Sequence, residues 1–99
     1  MAVKLIPYDM AEFLKTDEDI ADYLEAVLEE EDPALLTRAL GNIARARGMT
    51  DIAREIGASR GSLYRSLSEN GNPSFATVVH VLKALGIQLH VAPTKLITA

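Results

Sequence analysis

Apolar residues recur at helical spacing along most of the chain, which predicts a protein built from several short helices. Within residues 18–30 they follow the i, i+4, i+7, i+8 spacing of one buried helical face: Ile20, Leu24, Val27 and Leu28. Thr16 or Asp17 is the expected N-cap of this helix, and residues 9–14 predict a brief helix before it. The outward positions of residues 18–30 are largely Asp and Glu, so its outer face is acidic.

A second long helix is expected over residues 33–47. Asp32 is an N-cap residue, and Pro33 fits the first helical position, where no amide hydrogen is needed. Gly48 follows as the stop signal. Gly41 in the middle costs up to about 1 kcal/mol relative to Ala, so we expect another helix to cross close to it.

The C-terminal third predicts one more helix and then a strand. Ser74 is the expected N-cap of a helix that Gly86 ends. Residues 87–92 alternate between apolar and polar side chains, which is the pattern of a β-strand. Because a lone strand is unstable, we expect it to pair with residues 3–6 or with the same strand of a second chain.

Residues 50–67 have the pattern of two short helices joined by a tight turn, the helix-turn-helix arrangement. Thr50 and Ser59 are the expected N-caps, and Gly57 lies at the turn, where the backbone needs a positive φ. The expected wedge between the two helices consists of small and apolar residues: Ile52, Ala53, Ile56, Ala58 and Leu63. Ser66 stands where a buried apolar residue is usual, and Leu67 is the expected replacement.

The second helix of such a pair presents its N-terminal residues to base edges in the major groove of DNA. Arg60 is placed to donate two hydrogen bonds to guanine O6 and N7, and Gly61 leaves room for a base edge. The expected DNA contacts are Thr50, Ser59, Arg60, Gly61, Ser62, Tyr64, Arg65, Asn72 and Ser74. Asp51 departs from this pattern, because its carboxylate near the start of the first helix repels phosphate.

Charge is distributed unevenly, although the whole chain carries a net charge of −4. Residues 1–32 hold eleven acidic and two basic side chains, a net charge of −9, whereas residues 33–99 hold three acidic and eight basic ones, a net charge of +5. A pI near 5.0 argues against general attraction to nucleic acid. The asymmetry indicates two surfaces with different partners, or an acidic helix that is merely solvated on one side.

The length of 99 residues predicts one domain. We divide it into an acidic helical segment (1–32), a helical core (33–86), a strand (87–92) and a tail (93–99). The absence of cysteine excludes disulfides and thiolate metal sites. His80 and His90 have no neighbouring ligand set, and no arrangement of nucleophile and base is present, so we expect no metal, no cofactor and no enzyme activity. No stretch approaches the roughly 18 apolar residues of a membrane span.

The sequence resembles the Xre-type, HigA-like antitoxins called addiction module antidote proteins. The resemblance covers residues 8–91, and its most family-specific segment is Gly71-Asn72-Pro73-Ser74-Phe75-Ala76-Thr77. Residues 8–9, 19–24, 39–50 and 82–86 also fit. The resemblance implies an all-α, five-helix Xre/lambda-repressor-like helix-turn-helix domain with a short C-terminal β-strand, in a cytoplasmic bacterial protein.

The resemblance also implies a function. Such a type II antitoxin neutralises a small RelE/HigB-like toxin, typically a basic ribonuclease, and represses its own operon as a dimer on a palindromic operator. Because the net charge of −9 complements a basic toxin and speeds encounter, the hypothesised toxin contacts are Asp22, Glu25, Glu29 and Glu30. A homodimer reads two half-sites. Its expected contact is either the strand, through Ile87, Leu89 and Val91, or the last helix.

Two other function classes stay open from the residues alone. The first is a stand-alone Xre-type transcriptional regulator without a toxin. The second is a protein-interaction module that uses the helical hairpin only structurally and binds no DNA. A toxin-like reading frame beside this one separates the antitoxin from the stand-alone regulator, and a mobility-shift assay with the upstream promoter separates both from the interaction module.

Overall fold

A computed structural model describes residues 13–93, which form five α-helices and contain no strand. The helices are α1 (Asp17–Glu29), α2 (Pro33–Arg47), α3 (Met49–Ile56), α4 (Arg60–Ser66) and α5 (Phe75–Ala84). For the described residues, the prediction of an all-α fold is therefore confirmed. The predicted brief helix at residues 9–14, the segment 3–6 and the tail beyond Pro93 lie wholly or mostly outside the described residues.

The first two helices begin at the residues that the sequence predicts. Thr16 is the N-cap of α1, where its Oγ1 accepts from the Asp19 amide at 3.0 Å and Asp19 Oδ2 accepts from the Thr16 amide at 3.1 Å. This reciprocal pair is a capping box. Asp32 caps α2 by accepting from the amides of Ala34 and Leu35 at 3.0 and 3.4 Å. Both helix starts are thus fixed by local hydrogen bonds.

The core lies where α2 packs against α1 and α3, and where α3 packs against α4 and α5. The largest fully buried side chains come from α1, α2, α4 with its C-cap, and α5: Ile20, Leu40, Ile43, Leu63, Leu67 and Val81. Gly41 of α2 is buried, and a Cβ at this position would collide with the carbonyl oxygen of Leu67. The predicted close approach to Gly41 is confirmed, and the end of α4 makes it.

The predicted strand at residues 87–92 is wrong for the described part of the chain, where these residues lie in no helix or strand. Gly86 has φ +78° and ends α5. Its amide donates to the Lys83 carbonyl at 3.0 Å, and the Ile87 amide donates to the Leu82 carbonyl at 2.9 Å. These two bonds form a Schellman cap. The cap uses the amide of Ile87, the first residue of the predicted strand. Residues 13–93 contain no strand with which residues 88–92 could pair.

Candidate nucleic-acid interface

The turn between α3 and α4 fixes where α4 begins. Gly57 adopts φ +77°, and the Ala58 amide donates to the Ala53 carbonyl at 2.9 Å, which closes α3. Two residues after Gly57, Ser59 caps α4, and its Oγ accepts from the Ser62 amide at 3.0 Å. Both predicted turn residues therefore adopt the conformations that the sequence requires.

One side of α4 is anchored in the core. Leu63 and Leu67 are 2% and 1% exposed. Leu67 is the C-cap of α4, with φ −100° and ψ 11°. Ser66 is half-buried, and its Oγ donates to the Leu63 carbonyl at 3.1 Å. Leu67 thus takes the buried position that Ser66 leaves, as the sequence predicts.

The other side of α4 faces solvent and is cationic. The predicted contact residues of this helix are all exposed: Arg60, Gly61, Ser62, Tyr64 and Arg65. Neither arginine forms an ion pair with another residue in the range 13–93. A Cβ at Gly61 would lie 3.5 Å from an Arg65 guanidinium nitrogen, an ordinary contact. Two arginines without an ion-pair partner among the described residues therefore lie five positions apart on the exposed side of α4.

Arg45 of α2 joins this surface, and the sequence alone does not single it out. Its guanidinium carbon lies 5.8 Å from the centroid of the Tyr64 ring, a cation–π distance. Its Nη2 also donates to Asn42 Oδ1 at 2.7 Å. Tyr64 remains 44% exposed, so one face of the ring receives Arg45 while the side chain still reaches solvent.

Thr50 is exposed but is not the N-cap of α3, contrary to the sequence prediction. Gly48, with φ +115°, both ends α2 and precedes α3, so the helix begins at Met49 and Thr50 is its second residue. The first backbone hydrogen bond of α3 is donated by the Ile52 amide to the Gly48 carbonyl at 3.2 Å. The amides before Ile52 therefore have no acceptor in their own helix.

The negative charge of Asp51, near the start of α3, is partly neutralised by Arg54. Its Oδ1 accepts from Arg54 Nη1 at 3.1 Å in an exposed pair on the same helix. The expected repulsion between Asp51 and phosphate is thereby reduced.

The remaining predicted DNA contacts lie at the start of α5. Ser74 is its N-cap, where its Oγ accepts from the Thr77 amide at 3.1 Å and donates to Thr77 Oγ1 at 3.0 Å. Asn72 is exposed and lines a groove between α1, α2 and α5. The structure therefore gives Ser74 a capping role and places Asn72 on the border of that groove.

The hypothesised toxin contacts are all exposed on α1 or at its C-cap. Asp22, Glu25 and Glu29, here called the acidic stripe, follow an i, i+3, i+7 spacing, and Glu30 is the C-cap. Within residues 13–93 none of the four is in an ion pair, since the two pairs present there are Asp17–Arg47 at 2.9 Å and Asp51–Arg54. The last turn of α1 holds no basic residue, so the acidic end is not compensated by its own helix.

The hypothesised dimer contacts differ in exposure. Ile87 is half-buried and packs against the core, Leu89 is 46% exposed and Val91 is 99% exposed. Ile87 and Leu89 also line the groove between α1, α2 and α5. Within residues 13–93, no group of three or more His, Cys, Asp or Glu residues is arranged to hold a metal ion, and no helix has the length and apolarity to span a bilayer.

Within residues 13–93, these features define a small helical fold with a cationic helical face, in a chain of net charge −4. The chain belongs to the family of probable addiction module antidote proteins, whose family model matches residues 4–93. It is also 47% identical over 95 residues to an uncharacterized protein of Haemophilus influenzae, with 96% of this chain and 98% of that protein covered. No solved structure matches the chain. An antidote acts on a toxin, so the family implies a toxin partner.

Proposed function

We propose that this protein is the antitoxin of a type II toxin–antitoxin module of the Xre, HigA-like subclass. It neutralises a RelE/HigB-like toxin and represses its own operon by sequence-specific DNA binding. Membership of the antidote family supports the antitoxin role. The exposed cationic face of α4 supports the DNA-binding role.

The carrying observation for DNA binding is the position of Arg60 and Arg65 on a helix whose opposite side is buried. In a helix-turn-helix protein the second helix lies in the major groove, and its N-terminal residues contact base edges. Arg60 is the first residue of α4, so it is the proposed guanine reader. Ser59, Gly61 and Ser62 approach the bases or backbone beside it. Arg65, five residues further along α4, holds a base or a phosphate.

Backbone phosphates receive the surrounding groups. The free amides at the start of α3 and the exposed hydroxyl of Thr50 suit one phosphate, since helix N-termini attract anions. Arg45 and Tyr64 suit another on the side of α2. Asn72 and Ser74 are proposed for the flank at the start of α5. Phosphate contacts position the protein, and Arg60 supplies the sequence readout.

Two copies are proposed to bind a palindromic operator, because one helix-turn-helix contacts too little DNA for high specific affinity. Of the hypothesised dimer contacts, the fully exposed Val91 is the proposed contact between copies. Sedimentation of the full chain at micromolar concentration, with and without operator DNA, tests this. A monomer under both conditions would contradict it.

Neutralisation is proposed to use α1. Its exposed carboxylates attract a basic ribonuclease from solution, and complementary charge raises association rates. Asp22, Glu25, Glu29 and Glu30 are the proposed contacts. The acidic face of α1 and the cationic face of α4 belong to different helices, and Asn72 is the one proposed DNA contact that also lines the groove beside α1.

The test uses the reading frame adjacent to this one and the promoter upstream. Expression of a toxin from that frame is expected to arrest growth, and co-expression of this protein is expected to restore it. The purified protein is expected to shift the promoter fragment and not a scrambled fragment of equal length. A shift without a toxic neighbour would instead identify a stand-alone regulator. The absence of both the growth rescue and the shift would contradict the whole proposal.

A further inference from the structure

An open apolar groove of about 600 Å³ runs between α1, α2, α5 and residues 87–90. Leu24 and Leu82, each 4% exposed, form its floor. Its rim consists of large apolar side chains that face solvent: Leu28 is 46% exposed, Phe75 is 75% exposed and Leu89 is 46% exposed. Contiguous exposed apolar surface of this kind marks an interaction site.

The Schellman cap of α5 builds one wall of this groove. The bond from the Ile87 amide to the Leu82 carbonyl directs the chain back beside α5, and Ile87 and Leu89 then line the groove. The hydrophobic contact that accompanies such a cap joins the same two positions, Ile87 and Leu82. The hydrogen bonds that end α5 therefore also hold one wall of the groove in place.

The groove has an apolar interior and one acidic edge. The Thr37 hydroxyl donates to the Pro33 carbonyl at 3.1 Å, and no buried side-chain nitrogen or oxygen among residues 13–93 lacks a partner. The interior therefore requires no polar ligand. Among residues 13–93, Glu25 is the one acidic residue that lines the groove, and no lysine or arginine lines it. Glu25 also belongs to the acidic stripe of α1.

The charge of this edge decides between two occupants. In a twofold dimer the same surface of both copies meets, so a second copy in the groove brings two acidic α1 helices together. Helix α1 has six acidic residues and no basic one, and juxtaposed like charges oppose association. A cationic partner instead relieves the repulsion between Glu25 and Glu29, which lie one turn apart.

We propose that the groove is the docking site for an amphipathic helix of the toxin, with an apolar ridge in the groove and Lys or Arg along the edge that meets the acidic stripe. An apolar helix face in an apolar groove is a recurrent mode of recognition. This inference rests on the proposed antitoxin function. It assigns Ile87 and Leu89 to the toxin and leaves Val91 for contact between copies.

The first test measures the affinity of the full chain for the purified product of the adjacent reading frame by calorimetry. Phe75→Ala is expected to weaken binding by about tenfold or more, as for an anchor side chain. The matched control is Phe13→Ala, because Phe13 is also exposed, at 55%, and does not line the groove. Its affinity is expected to stay within about twofold of wild type.

The second pair of variants tests the charged edge. Glu25→Lys is expected to weaken binding by about tenfold at low salt and by less at high salt, where exposed charges are screened. Glu55→Lys on α3 is the control, since it changes the same charge outside the groove.

Equal affinity of Phe75→Ala and Phe13→Ala, with wild-type binding intact, would overturn the groove as the docking site but not the antitoxin role. Failure of wild type to bind or to restore growth would overturn both.

Thiol labelling provides a readout that does not depend on affinity, because the chain has no native cysteine. In Leu28→Cys the thiol is expected to react with a maleimide as fast as in Glu55→Cys, and to be protected only when toxin is added. Protection that rises with protein concentration alone would show a second copy in the groove. Protection at every concentration would show that the ends of the same chain cover it. Either result would overturn the proposal.

Discussion

The guanidinium of Arg45 on α2 stacks on the ring of Tyr64 on α4, with 5.8 Å between the guanidinium carbon and the ring centroid. The contact extends the cationic face of α4 onto a second helix. The hydrogen bond from Arg45 to Asn42 at 2.7 Å holds the guanidinium from the other side. Arg45 is thus positioned at the border of the proposed DNA surface before any DNA is bound.

Arg45→Ala is expected to weaken binding to specific and unrelated DNA by a similar factor, because a phosphate contact carries no sequence information. The slope of log K against log salt is expected to decrease by about 1. Lys83→Ala on α5 removes the same charge elsewhere, and its slope is expected to match wild type. Fluorescence anisotropy over a salt series measures both. Loss of affinity for one sequence alone would instead make Arg45 a base reader.

Arg60→Ala is expected to cost about 1–3 kcal/mol of operator affinity and to relax specificity at one base pair. The reason is the loss of two hydrogen bonds to a guanine. Replacing that base pair in the operator serves as the control, since wild type and variant should then bind the altered operator equally. A variant that discriminates among operators as wild type does would show that Arg60 contacts only the backbone.

Gly41→Ala is expected to lower the free energy of unfolding by about 1–3 kcal/mol. The added methyl group collides with the Leu67 carbonyl, and this outweighs the higher helix propensity of alanine. Gly61→Ala is the matched control, because its new Cβ meets only the mobile end of Arg65 at 3.5 Å. Its stability is expected to stay equal or rise by up to about 1 kcal/mol. Urea unfolding of both variants measures the difference, and equal stabilities would refute the close crossing.

Helix ends and turns could be predicted from the sequence where a few neighbouring residues determine them. Asp32, Gly57 and Ser59 adopt their predicted roles because each capping bond joins residues within five positions of one another. Thr50 is the exception. Gly48 serves as the end of α2 and the cap of α3 at once, and residue preferences do not reveal that one residue has both roles.

Features that join distant segments could not be predicted. The alternation of residues 87–92 indicates a strand, but it does not show that the Ile87 amide bonds to Leu82. Arg45 is far in sequence from the ring that receives it, and the apolar groove draws its lining from three helices. Only the packing of those helices brings such residues together.

The capping box of α1 is expected to make stability depend on pH. The amides of Thr16 and Lys15 donate to the Asp19 carboxylate and lower the pKa of Asp19 below its ordinary value of 3.8. A lowered pKa in the folded state contributes stability above pH 3.8, which is lost as the pH falls through the folded pKa. When the pH is lowered from neutral to below 4, Asp19→Asn is therefore expected to lose less folding stability than wild type.

Asp22→Asn is the control for this pH dependence, because Asp22 lies on the same helix and accepts no hydrogen bond within residues 13–93. Its stability is expected to follow that of wild type between neutral pH and the acid limb. Thermal unfolding by circular dichroism at a series of pH values measures all three proteins. An acid limb in Asp19→Asn as steep as in wild type would contradict the role of the capping box.

Reversing the charges of Glu25, Glu29 and Glu30 to Lys is expected to slow association with the toxin at low salt. These carboxylates are exposed and unpaired within residues 13–93, so they act on an approaching cationic partner over about 10 Å at 0.1 M salt. The effect is expected to shrink as salt rises, because steering depends on unscreened charge. Stopped-flow mixing with the toxin measures the rate. Reversal of Glu55 and Glu69, which lie outside α1, is the control. Equal association rates of the α1 variant and wild type at low salt would show that α1 is only a solvated helix.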